Sequence, residues 1–282
     1  MRRDSSTVRS RHLGSVLARA VRDKGALAQD IAAGLDWSPP QISRLFRGRC
    51  RISPAEAAAI LAMCDVSAGS RRAAVLALAA AAEEETWLQE HGERPAAEPP
   101  AVRELEEAAT RIVCVDDAGI PALLQAGAYL RADHRANPVI PGAELARRTD
   151  ALIARQGVLD RANLVTAFVG AQVLRRGGFG DSVMSDQVHH LLRLSVRPNI
   201  RLRVVVEPVG CAPFQLLHFA EAAPVVHVAN LNSTFLSQRP ATIAGYRRLV
   251  GRLDECALST EASRDHLGEI AAGVGDKLDQ YL

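Results

Sequence analysis

Residues 91–100, HGERPAAEPP, separate two stretches whose hydrophobic residues repeat with different periods, and this change constrains the fold more than any single motif. Three prolines and a polar majority leave the segment no periodicity, as expected of a linker. Before it, apolar residues recur at helical spacing. In RHLGSVLARAVRDK (11–24), Leu13, Val16, Leu17, Ala20 and Val21 form one stripe, with Arg19, Arg22 and Asp23 opposite. After it, short β-branched runs alternate with helical patterns. One chain therefore has to build an all-α domain and an α+β domain with a mixed sheet.

The helical part has clear punctuation. Gly25 stops the first helix and ALAQDIAAGL supplies a second, ending near Gly34. Ser38-Pro39 starts a third, PPQISRLFRG, with Ser at the N-cap and Pro where a missing N–H costs nothing. Ser53-Pro54-Ala55-Glu56 starts a fourth with a complete capping box, and Ala57, Ile60 and Leu61 face inward. A fifth is expected from Ser70 to Gln89. Its stripe of Ala73, Leu76, Ala80, Glu84 and Trp87 is a candidate dimer surface, with core packing as the alternative. The expected domains are 9–68, a connecting helix and linker at 69–100, and 101–282. In the last, strands are expected at 111–115, 164–169, 202–206, 214–219 and 225–229, and helices near 121–133, 143–161, 181–196, 240–256 and 260–280.

Charge is divided the same way. Residues 1–72 carry 13 basic and 6 acidic side chains, a net +7, while the remainder carries 21 and 26, a net −5, which together make the chain's +2. A basic head on an acidic body suggests that the head meets a polyanion. No apolar run approaches a membrane span, and the charged N-terminus lacks an apolar signal core. The five cysteines (Cys50, Cys64, Cys114, Cys211, Cys256) are odd in number and contain no C-x-x-C, which argues against a disulfide framework or structural zinc. The reading is a cytoplasmic, nucleoid-associated protein without metal or cofactor.

LAQDIAAGLDWSPPQISRLFRG spaces two short helices about a tight turn, so that the first braces the second and the second enters the major groove. Ala28, Ile31, Ala32, Leu35, Ile42 and Leu45 lock the pair, and Gly34 is expected to relieve the backbone between them. Gln29 is placed for a phosphate. Pro39, Pro40, Gln41 and Arg44 face the bases, where Gln suits adenine and Arg suits guanine. Ser38, Ser43, Arg47, Arg49 and Arg51 suit phosphates, which position a domain without reading sequence. With RCRIS appended, this stretch resembles the xenobiotic-response-element (lambda-repressor-like) regulators over residues 12–66, and I-S-R-L-x-x-G is its most specific part. Pro39-Pro40 departs from the polar pair usual in that family. The resemblance implies a double-stranded DNA partner, and a homodimer on two half-sites is expected because one short helix in one groove seldom yields specific affinity.

In the second half no nucleophile elbow, P-loop or zincin motif occurs. RRGGFGDS (175–182) is either an anion cradle or a plain turn. His189-His190 point about 100° apart on a helix and cannot share a metal, one being expected inside and one outside. His218 and His227 are expected in neighbouring strands, close enough to approach each other. IPALLQAGAYLRA, ARQGVLDR, HHLLRLSVRPNIRLRVVV, PFQLLHF and YRRLVGRLDECALSTEASRDHL resemble the C-terminal domain of unknown function in WhiJ-like actinobacterial regulators, over 104–268. That resemblance implies control of development or secondary metabolism, and a small acidic partner protein encoded nearby. Departures are Ala122 for Gly, Leu152 for Arg, a short loop between Val206 and Phe214, and Ala171, His218 and Ala229 where glutamates are expected on strands. Arg155, Gln156, Arg175 and Arg176 remain as donors for an anionic ligand or acidic partner. The leading expectation is a non-enzymatic DNA-binding regulator with a dimerising, signal-receiving second domain. An antitoxin-like autoregulator that sequesters a partner, or an enzyme targeted by its DNA-binding head, is the alternative.

Overall fold

A computed structural model of the chain describes residues 6–279 except 91–99, 139, 162, 176–178, 208 and 231–232. The chain divides into two units. Residues 1–87 with 221–223 and 236–239 form the first, and the remainder forms the second.

The first unit holds α1 (Val8–Lys24), α2 (Ala28–Gly34), α3 (Pro39–Phe46), α4 (Pro54–Met63) and α5 (Ser70–Ala80). Its core is the stripe expected from periodicity: Leu13, Leu17, Ile31, Ile42, Leu45, Ile60 and Leu61 are buried, joined by Val75 and Ala79 of α5. The first four helices end alike. Gly25, Asp36, Gly48 and Asp65 each take the left-handed conformation, with φ of 71°, 56°, 68° and 54°. At each end two backbone N–H groups bond back into the last turn, as Asp36 and Trp37 do to Ala33 and Ala32 at 3.2 and 2.8 Å. The turn between α2 and α3 is therefore made by Asp36, a residue type that tolerates this region, and not by Gly34. Gly34 is helical, and the atom nearest a Cβ built on it would be Met63 Sδ at 2.5 Å, the end of a flexible side chain.

The fifth helix stops at Ala80, and Thr86–Glu90 is instead a strand, β1. Glu83, Glu84 and Glu85 place three like charges at the negative end of the helix, and Thr86 and Trp87 favour extended backbone. Ala73, Leu76, Ala80, Glu84 and Trp87 thus share no helical face, and Trp87 is buried in the strand.

The sheet also comprises β2 (Arg111–Asp116), β3 (Leu164–Gly170), β4 (Ile200–Val205), β5 (Phe214–His218), β6 (Val225–Ala229) and β7 (Ser233–Ser237), in the order β1-β7-β6-β5-β2-β3-β4. It is mixed: β2–β3 and β3–β4 are parallel, β2–β5 and β5–β6 antiparallel. The helices of the second unit are α6 (Pro100–Ala108), α7 (Gly127–Ala136), α8 (Leu145–Arg155), α9 (Ala171–Arg175), α10 (Asp181–Ser195), α11 (Pro240–Cys256) and α12 (Thr260–Asp279). Val113, Val115, Phe168, Phe214, Leu216 and Val226 form one sheet face under Ile243, Val250 and Leu253 of α11. Strand alternation sends Cys114, Gln215 and His227 to the opposite face.

Two expected helices are interrupted. The 121–133 segment is a 3-10 turn at Ala122–Leu124 followed by α7, because buried Gln187 accepts the Ala126 N–H at 2.7 Å and donates to the Leu124 carbonyl at 2.9 Å. The 143–161 segment passes from α8 into a 3-10 turn at Gln156–Asp160. Ala171 begins a short helix and is not on a strand. Among the described residues no helix is long and apolar enough to cross a membrane.

Candidate functional site

In the first unit, α3 has one dry face and one wet face. Ile42 and Leu45 are fully buried, while Pro40, Arg44 and Arg47, spaced by four and three residues, are exposed along one side. The helix is held close to α1: a Cβ on Gly14 would lie 2.4 Å from the Leu45 carbonyl oxygen, and one on Gly48 would lie 2.5 Å from Arg11 Cα. Backbone contact at the C-terminal end of α3 thus fixes where its N-terminal end projects.

Gln29 is exposed in the first turn of α2, and Ser38, Pro39 and Pro40 are exposed at the head of α3. Gln41 is half-buried, and its Oε1 accepts from the Ser38 N–H at 2.8 Å and the Ser38 hydroxyl at 2.9 Å. Ser38-Pro39-Pro40-Gln41 is therefore a second capping box, legible from its S-x-x-Q spacing. A bidentate pair between Gln41 and adenine requires that box to open. The Arg44 guanidinium has no partner among the described residues. Arg47 Nη2 donates to Ser43 Oγ at 2.8 Å, and Arg51 pairs with Glu83 at 2.5 Å. Arg49 pairs with Glu221, whose exposed carboxyl it holds below the usual range.

In the second unit, Arg155 is buried at the end of α8 and its Nε and Nη2 donate to the carboxylate of Glu106 on α6, the Nη2 bond being 2.5 Å. Glu106 is wholly buried and also accepts from Gln215 Nε2 at 2.7 Å. Gln215 Oε1 in turn meets Arg155 Nη2 at 3.4 Å and His227 Nδ1 at 2.9 Å. The strands set the Gln215 and His227 end of this row directly, because Cys114 lies opposite Gln215 and Gln215 opposite His227. Burial, with the nearby Arg155 charge, pushes the His227 pKa down to about 3. Burial first, then Glu106, pushes the Cys114 thiol up to about 12. Both groups are neutral at pH 7.

Arg155 is thus an internal ion-pair partner and not an open donor. Gln156 is equally committed: its Nε2 donates to the carbonyls of Ala122 and Gln125 at 3.2 and 2.7 Å, pinning the 3-10 turn. Arg175 ends α9, and Arg176 lies outside the described residues. His218 and His227 do not approach each other as expected, since His218 pairs with Arg111 in the register that sets Gln215 opposite His227. His189 is exposed and His190 half-buried. Among the described residues no group of three or more His, Cys, Asp or Glu is placed to hold a metal ion.

Sequence reasoning missed Glu106 and Gln215, and it weighed His227 only against His218. A signal existed for Glu106. Val102, Leu105, Glu106 and Ala109 form a helical stripe with a carboxylate inside it.

No curated protein matches the chain. One similar solved structure is that of TrmBL2, an archaeal chromatin protein reported to show a novel mode of DNA binding. It is 12% identical with a TM-score of 0.33, and the match covers 62% of this chain and about half, 54%, of that one. The family model described as "Domain of unknown function (DUF5753)" matches residues 100–269, more than half of the chain and close to the 104–268 span of the second resemblance. The chain belongs to that family.

Proposed function

We propose that this protein is a sequence-specific DNA-binding transcription regulator whose first unit sets α3 into the major groove, and whose second unit dimerises and receives a signal. One observation carries the reading: α3 presents Pro40, Arg44 and Arg47 to solvent while Ile42 and Leu45 anchor it in the core. Arg44 is placed for a guanine edge. Arg47, Ser38, Ser43 and Gln29 suit phosphates, as do Arg49 and Arg51 once they part from Glu221 and Glu83. Pro39 and Pro40 offer apolar surface and no N–H, so they contribute shape and thymine-methyl contact. One short helix buries too little for specific affinity, so two copies reading two half-sites are expected.

Selection of bound duplexes from a random pool by the full chain, followed by footprinting, tests this reading. An enriched imperfect palindrome with half-sites about 34–36 Å apart, or a multiple of that, is expected. A pool that stays unenriched, or a single asymmetric footprint from a monomer, overturns it.

A further inference from the structure

Beside the Glu106–Arg155–Gln215–His227 row lies a solvent-open cleft of about 150 Å³ at the carboxyl end of β2. In open sheets this end, where neighbouring connections diverge, is where ligands lodge. Here β2 is the strand on which parallel pairing gives way to antiparallel pairing. Its walls are largely apolar, with Val115, Ile120, Pro121, Ala122, Pro213 and Phe214 among them. A volume of this order holds one six-membered ring.

The polar atoms of the lining select the ligand. Gln215 Nε2 donates to Glu106, which fixes the amide so that Oε1 faces His227 Nδ1. An amide oxygen only accepts, so the imidazole carries its proton on Nδ1 and leaves a lone pair on Nε2. His227 is 4% exposed and lines the cleft, yet no donor reaches Nε2 from the described residues. A buried acceptor without a donor is a standing cost that a suitable ligand removes. An anion finds little here: the Arg155 charge is already matched by Glu106, and Asp116 adds a carboxylate to the lining.

We propose that this cleft binds a small, uncharged, largely apolar molecule of about one ring in size, held by an O–H or N–H that donates to His227 Nε2. This deepens the signal-receiving part of the function proposed above. It rests on the cleft alone, so a titration without DNA leaves the DNA-binding reading standing if it fails.

The experiment titrates the full chain with phenol, anisole and benzoate, following the side-chain histidine nitrogens by long-range ¹H–¹⁵N correlation. Phenol is expected to bind saturably, to move the His227 Nε2 resonance, and to bind roughly tenfold tighter than anisole, the scale of one buried hydrogen bond. His227→Phe should bring the phenol-to-anisole ratio to about one. Ala229→Phe, at an exposed position on the rim, should abolish saturation while leaving the far-ultraviolet spectrum intact. The second variant keeps the test decisive if the first does not fold. Equal binding of phenol and anisole, tightest binding of benzoate, or no saturable binding of any of the three overturns the proposal.

Discussion

Arg44 and Arg155 are the same side chain in opposite settings. In the first unit an apolar core backs an exposed helix, and the arginine on that helix keeps its hydrogen-bonding capacity for another molecule. In the second unit a carboxylate and an amide take the Nε and Nη2 donors of the arginine inside the fold. The contrast teaches that residue type alone does not identify a contact surface. Burial and pairing decide whether a guanidinium reads a partner or holds two elements together.

The largest effect is expected from Glu106→Ala, which strands a buried guanidinium. A loss of about 3–5 kcal/mol is expected, measured by urea unfolding under far-ultraviolet dichroism. A change below about 1 kcal/mol would show that water already solvates Arg155. In the first unit the largest effect is expected from Gly48→Ala, which places a Cβ against the Arg11 backbone at a positive φ. About 1–3 kcal/mol should be lost. Trp37 and Trp87, the chain's two tryptophans, both lie in this unit and report it by fluorescence.

Acidification separates the units next. His227 has a folded pKa near 3, below its ordinary value of 6.5, so the unfolded chain binds the proton first. Stability is unaffected above about pH 6.5 and falls as pH drops from there toward 3. The His227 contribution should be about 1–2 kcal/mol between pH 7 and 5, and His227→Phe should flatten that slope. An unchanged slope in the variant would assign the acid sensitivity to His134, His190 and His218, which burial also lowers. The smallest effect is expected from Arg47→Ala, which should weaken binding to all duplexes alike and flatten the salt dependence by roughly one unit of slope.

The two units also differ in how much of them could be read beforehand. The helices and core of the first follow from local signals: period, Ser-Pro starts, a capping box. Its failures were local too, since Asp36 turns the chain where Gly34 was expected to, and three glutamates end α5 early. In the second unit the five expected strands formed, because β-branched runs mark them. The strands Thr86–Glu90 and Ser233–Ser237 did not announce themselves, being short and rich in polar residues. The polar row was harder still. Its bonds join residues 49, 60 and 109 positions apart, brought together by strand register at Gln215 and His227 and by the packing of α6 and α8 at Glu106 and Arg155.

Arg44 on α3 is expected to read a base. The most direct test is competition binding of the full chain and its Arg44→Ala variant to the selected duplex, each against a scrambled duplex at one salt concentration. The variant should lose about 1–3 kcal/mol on the selected duplex only, with preference relaxed at one base pair of each half-site. Equal affinity and identical preference in the two proteins would contradict it.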